Sequence, residues 1–311
     1  MKFGSLLFSI LLFFYLNLSA QQTIQERLGY SKDTKLLIIH ADDIGVSHSE
    51  NMATVAAMEK GAVSCGSVMV PCPWFPEIAS YAATHPNIDL GIHLTLTSEW
   101  KNYRWGPVSG ASVSPSLANK RGFLYDDLDS LGKMAVLKDV ERELRGQIDR
   151  AILFGVHPSH LDSHMGSCFF DKDYLRLYIQ LAREYHIPCL LNRDAFKLVY
   201  AINIDELLKP EDVVTDRIFM AFPQDFSKGM PNYYTQVIRS LKPGLNCILL
   251  HAAYDNEEMQ AVTVDHPDYG AAWRQADFDF FTSDACKKLL EENQVHVISW
   301  REIKEKLFDK K

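Results

Sequence analysis

Short apolar runs of strand length alternate with stretches of helical period along most of this chain. "KLLIIHA" is continuously apolar, as a parallel strand covered on both faces must be. A helix is predicted from about Ser49 to Lys60, with Met52, Val55, Ala56 and Met58 as its apolar residues and Gly61 as its stop. "SCGSVMVP" reads as a second strand, after which Pro71 and Pro73 open a helix through "FPEIASYAATH". Asn87 and Ile88 lead into a third strand, "DLGIHLTL". From Ser98 to about Met134 the rhythm breaks into a segment rich in Gly, Pro, Ser and aromatic residues, with neither period. Helical period returns from about Ala135 to Phe154, followed by a strand at "PSHLDSH" and a helix through "YLRLYIQLAREYH". "PCLLN", "RIFMAF", "NCILLHAA" and "VHVISW" complete the strand candidates, with helices at "YYTQVIRSL" and "REIKEKLF". Seven or eight β/α units without a GxGxxG turn predict an α/β fold: a distorted (β/α) TIM-like barrel with about seven parallel strands, rather than a doubly wound sheet. No repeat or linker interrupts the pattern, so residues 21–311 read as a single domain.

The first residues carry a different pattern. Lys2 precedes a nearly unbroken apolar run from Phe3 to Leu18, and "NLSA" ends in the small residue Ala20. This reads as a secretory signal peptide over residues 1–20, and hence a periplasmic or extracellular protein with no membrane contact after cleavage. Leu18 stands where cleavage favours a small residue, which leaves an uncleaved anchor as the alternative. The net charge of −8 and the absence of basic clusters in the sequence argue against nucleic acid as a partner. Six scattered cysteines without a CxxC spacing exclude a zinc finger; export permits disulfides, with Cys65 and Cys72 as one candidate pair and free buried thiols as the plainer reading. Oligomeric state is not legible, and a homodimer stays open.

Four of the strand-like runs end on side chains that bind metals or move protons. They deliver Asp42 and Asp43, His93, His164 and His251. In parallel α/β folds such strand ends converge on one rim. Successive strand residues point to opposite faces, so Asp42 and Asp43 can meet one ion only where the backbone bends, and Gly45 permits the turn. One of the pair would then hold a divalent ion while the other serves as a base; a helix N-cap is the rival reading. In "SHLDSH", His160, Asp162 and His164 share a face at period two. His164, nearest the strand end, is the natural ligand, with Asp162 and His160 expected to orient it. Ligation by Asp43, His93 and His164 would leave positions open for water and substrate. His251 supplies an imidazole suited to protonating a departing amine. Trp100, Tyr103 and Trp105, in the irregular segment, offer flat faces for sugar rings or, equally, anchors for a packed loop.

The fragments "LLIIHADDIGVSHSEN", "DLGIHLTLT", "PSHLDSH" and "LLHAAY", in this order, resemble the YdjC/ChbG-like carbohydrate deacetylase family, related to the NodB-type polysaccharide deacetylases. The resemblance implies a metal-dependent hydrolase that removes N-acetyl groups from amino sugars, notably chito-oligosaccharides, and releases acetate. It implies one divalent ion held by Asp43, His93 and His164, with Asp42 as base and His251 as acid. Magnesium and zinc are the first candidates for that ion, and manganese, cobalt and nickel also suit a mixed O/N site. "LNRD" resembles the family's arginine-bearing strand, which assigns Arg193 to Asp42 or to substrate. Met165 and Gly166 stand where many members carry further histidines. Two alternatives remain: a metal-dependent hydrolase of another amide or ester, such as an O-acetyl esterase, and a non-catalytic carbohydrate-binding protein.

Overall fold

Strand β1, Lys35–Ile44, is the spine of the molecule, and its apolar run explains why. The computed structural model describes residues 22–309, so the leader read in residues 1–20 lies outside the described residues. Leu37, Ile39 and Ala41 pack outward against the helices Met230–Ser240, Ala271–Thr282 and Asp284–Glu292. Leu36 and Ile38 point the other way, into a cluster with Leu245, Cys247, Leu190 and Trp300. Both faces of β1 are therefore apolar at its start, which is the property its sequence shows.

All strand pairings are parallel. β2 (Cys65–Val68), β3 (Leu90–Leu94) and β4 (Leu161–Ser163) follow β1 on one side, and β6 (Gly244–Leu250) and β5 (Arg217–Met220) on the other. β7 (Val295–Val297) pairs with the first residues of β1, below the stretch that pairs with β2. The predicted strand "PCLLN" is reduced to isolated parallel bridges, Leu161 to Cys189 and Asn192 to Thr215. Those bridges carry the curl from β4 round towards β5, giving a single α/β domain with a distorted TIM-like barrel. At the N-terminal end of the barrel, Trp300, Ile303 and Leu28 close the interior.

The inward residues of β1 at period two are Leu36, Ile38, His40 and Asp42: apolar at the closed end and ionisable at the open end. The interior thus changes from oil to polar along one strand, and that gradient sets where chemistry can occur. The irregular segment after β3 contains only a 3-10 turn, Pro115–Leu117, and a helix, Leu128–Met134. Residues between β6 and β7, to which the apolar pattern assigned no element, form the helices Glu257–Val262, Ala271–Thr282 and Asp284–Glu292. All six cysteines are buried and free, so Cys65 and Cys72 are not paired. Among the described residues no helix is long and apolar enough to cross a membrane.

Candidate functional site

The open rim is built on an irregularity at the end of β1. Asp42 points inward by strand alternation, so Asp43 would ordinarily point out towards the helices. Instead the register with β2 shifts between Ala41 and Ile44, and Asp43 adopts φ 64°. Gly45 follows at φ 96°, with Met69 O only 3.2 Å from where a Cβ would stand. The bend brings both carboxylates to one rim. A left-handed aspartate is strained and persists where its surroundings hold it. Here Arg274 Nη2 donates to Asp43 Oδ2 at 2.8 Å, while Arg274 Nη1 donates to the buried Glu50 at 2.6 Å. Burial alone would raise the Asp43 carboxyl, but Arg274 and His164 hold it well below the usual range.

Asp43 Oδ1 faces His93 Nε2 at 3.3 Å and His164 Nδ1 at 3.1 Å, and all three residues are buried. The far side of each ring is already committed. His93 Nδ1 lies 2.8 Å from Asp162 Oδ1, and His164 Nε2 lies 3.1 Å from a Glu99 oxygen. With those nitrogens as N–H donors, the two remaining lone pairs and Asp43 Oδ1 converge on one point, which repels unless a cation lies among them. Separations of this size match neighbouring ligands on an ion with bonds of about 2.0–2.2 Å. Without an ion, a proton takes the role. Burial disfavours charge on His164, yet Glu99 and Asp43 raise it to about 9, and Asp162 and Asp42 raise His93 well above its ordinary value in the same way. Asp43, His93 and His164 could therefore hold a metal ion, and the donor set fits one.

Behind this triad runs a buried polar column. His40 Nε2 lies 3.4 Å from Asp42 Oδ1, 3.3 Å from Asp162 Oδ2 and 3.2 Å from His160 Nε2. Ser67 Oγ donates to Asp162 Oδ2 at 2.9 Å. Burial pushes Asp42 well above the usual carboxylate range, in part offset by His93. Asp162 goes the other way because His93 and His40 outweigh its burial. Two adjacent carboxyls with opposed affinities for a proton make a poised base beside a fixed anion. His251 Nε2 stands 4.0 Å from Asp42 Oδ2 and 3.9 Å from Asp43 Oδ2, with its backbone N–H donating to Asp277. Burial lowers the His251 imidazolium to about 3.

Several sequence expectations need correcting. Asp162 orients His93, not His164, because β4 ends at Ser163 and a turn with Met165 at φ 52° swings His164 away. His160 reaches His40 instead and stacks on Trp300; Gly91 makes room, since a Cβ there would collide with the His160 ring. Arg193 is exposed, 58 % for its side chain, and bonds Asp205 at 2.7 Å, away from Asp42. Trp100 and Trp105 are only 4 % and 3 % exposed. Their edges and faces meet each other, Arg274 and His164, so they wall the site rather than offer open platforms.

Sequence reasoning missed His40, Ser67, Glu50, Glu99 and Arg274. His40 was legible, lying two residues before Asp42 on the same face. Arg274, 231 residues from Asp43, gave no local signal.

Residues 36–292 match the family model described as YdjC-like protein. A carbohydrate deacetylase of Thermus thermophilus is 31 % identical over 91 % of this chain and 98 % of its own. A chitooligosaccharide deacetylase of Serratia marcescens is 34 % identical over 42 % of this chain and 49 % of its own. A crystal structure of a proposed cellobiose-phosphate cleavage protein from Enterococcus faecalis superposes with TM-score 0.72 at 22 % identity, over 87 % of this chain and 99 % of that one, a likeness of fold.

Proposed function

This chain belongs to the YdjC-like family, and from that premise we propose that it is a metal-dependent carbohydrate deacetylase hydrolysing the N-acetyl groups of amino sugars or their oligosaccharides. The observation that carries the reading is the convergence of a cation-seeking triad, a poised carboxyl and an imidazole within 4.0 Å of it. The names of the relatives support an N-acetylated carbohydrate as substrate.

Asp43, His93 and His164 would hold the ion, which when bound would polarise the amide carbonyl and ease deprotonation of water. Asp42, with its raised proton affinity, takes a proton as the water oxygen bonds to the carbonyl carbon. His40 Nε2, 3.4 Å from Asp42 Oδ1 and 3.3 Å from Asp162 Oδ2, packs beside Asp42 during that step. His251 is neutral in the resting site, so it must gain a proton before it can give one. The neighbouring carboxyl with a raised proton affinity, Asp42 at 4.0 Å, is its source. From His251 the proton passes to the sugar nitrogen as the C–N bond breaks, and acetate and free amine leave. The leader read from the sequence would deliver the enzyme outside the cytoplasm, where extracellular glycan fragments are the available substrates.

The test is acetate release from N-acetylglucosamine oligomers by protein as purified, after chelation, and after add-back of zinc, magnesium, manganese, cobalt or nickel. Restored release is expected with at least one ion. His93→Ala should lose metal and activity together, whereas Asp42→Asn should keep metal and lose turnover by at least about 100-fold. An Asp42→Asn enzyme of full activity would remove the base from the mechanism.

A further inference from the structure

We propose that the segment after β3 carries a second binding site, a subsite for an anionic sugar unit, its charge a carboxylate or a sulfate, on the same glycan whose N-acetyl group meets the metal triad. The proposal rests on the deacetylase reading. A cavity of about 620 Å³ is lined by Lys101, Arg104, Lys120 and Arg121 with Asn102 and Asn119. That volume falls in the range of small-ligand sites. Four cations meet there in a chain whose net charge is −8, and the one carboxylate in the lining is Asp126.

The cations are not equally free. Lys101 is paired with Asp265, and Arg104 is held by Ser98 Oγ at 3.2 Å and Leu124 O at 3.0 Å, its guanidinium 5.9 Å from the centre of the Phe123 ring. Arg104 is thus placed in advance and loses little freedom on binding. Lys120 and Arg121 form no ion pair among the described residues. They sit on a tight turn in which Asn119 Oδ1 accepts from the backbone N–H groups of Arg121, at 2.9 Å, and Phe123, at 3.3 Å, with Gly122 at φ 83°. The turn presents two charges without an ion-pair partner and the Asn119 amide, Asn102 adds a second amide to the same space, and together they form a donor set that suits acidic sugars.

The same segment ties the cavity to the catalytic rim. Glu99 bonds His164, and Lys101 and Asn102 follow it within three residues. Arg104 bonds Ser98 Oγ, as does the backbone of Trp105, whose ring lies 6.3 Å from that of His164. One segment, Ser98 to Trp105, therefore supplies part of the cavity lining and also residues that touch the triad. A glycan alternating N-acetylated and acidic sugars satisfies both sites at once.

The experiment compares four probes: N-acetylglucosamine oligomers, hyaluronan oligosaccharides bearing carboxylates, chondroitin sulfate oligosaccharides bearing sulfates as well, and these last after desulfation. Acetate release and calorimetric binding are measured for wild type and for Lys120→Glu/Arg121→Glu, whose exposed positions make misfolding a minor risk. An acidic probe should bind more tightly than the neutral one, with the advantage shrinking as salt rises. The charge reversal should cut the acidic-to-neutral ratio of affinities, and of kcat/KM where both turn over, by about tenfold. Chondroitin sulfate oligosaccharides against the same oligosaccharides after desulfation then tell carboxylate from sulfate. Equal binding of neutral and acidic probes, or an unchanged ratio in the variant, overturns the subsite. Acetate from no probe despite tight, charge-dependent binding would instead overturn the deacetylase reading and keep the subsite.

Discussion

Each imidazole of the triad carries a carboxylate on one nitrogen and leaves the other for an ion. Asp162 does this for His93 and Glu99 for His164, so the nitrogens the two rings leave towards Asp43 are different atoms, Nε2 and Nδ1. Such partners commonly change metal affinity by about 10–100-fold when removed. They also fix how affinity depends on pH. Asp162, Asp42, Glu99 and Asp43 favour a proton on His93 and His164 in the metal-free protein, with His164 raised to about 9. A metal must displace those protons, so affinity is weakest in acid and climbs as pH approaches the metal-free pKa from below. Chelator-competition titrations between about pH 6 and pH 8 should show a rise of tenfold or more per pH unit, with protons released on binding. A flat profile would mean that the rings are neutral before metal arrives.

At the scale of elements, the site depends on a brace between helices and a strand. Arg274, on Ala271–Thr282, joins Glu50, on His48–Lys60, to Asp43 at the bend in β1. Glu50 is buried deeply enough that its carboxyl is pushed up to about 8 even beside that guanidinium, which offsets part of the burial. Arg274→Met should therefore lower both Tm and metal affinity, the second by about 10–100-fold. The double variant Glu50→Gln/Arg274→Met removes the stranded carboxyl, so it should recover most of the Tm while metal affinity stays low. Recovery of both would show that Arg274 serves only to neutralise Glu50. The pair of measurements separates support of the fold from support of Asp43.

For the whole molecule, the three residues of the proposed triad come from β1, β3 and the turn after β4, and Asp43 is also tied to the helix Ala271–Thr282 through Arg274. An ion gripping all three should stabilise the barrel as a unit. Metal at about 100 times its Kd contributes about 2.7 kcal/mol, a rise in Tm of roughly 4 °C for a chain of this size. Calorimetry with and without a chelator checks it, and the increment should vanish in His93→Ala. A rise that survives His93→Ala would locate the stabilising ion elsewhere.

The apolar runs and their β/α alternation determined the class of fold, and the strand-end Asp and His residues nominated the three side chains that the structure brings together, because burial on both faces and period two are local properties written residue by residue. "PCLLN" has the composition of a full strand, but its pairing is set by where the barrel curls shut. The helices between β6 and β7 leave no clear apolar pattern because their burial depends on partners distant in sequence, as with Trp273 against Phe226. Tertiary structure alone decided that Asp43 turns to the rim, that Asp162 serves His93, that Arg193 lies outside and that Arg274 lies within. The physical reason is the same in each case: side-chain type sets what a residue can do, while a bend, a crossing or a contact 231 residues away sets which partner it meets.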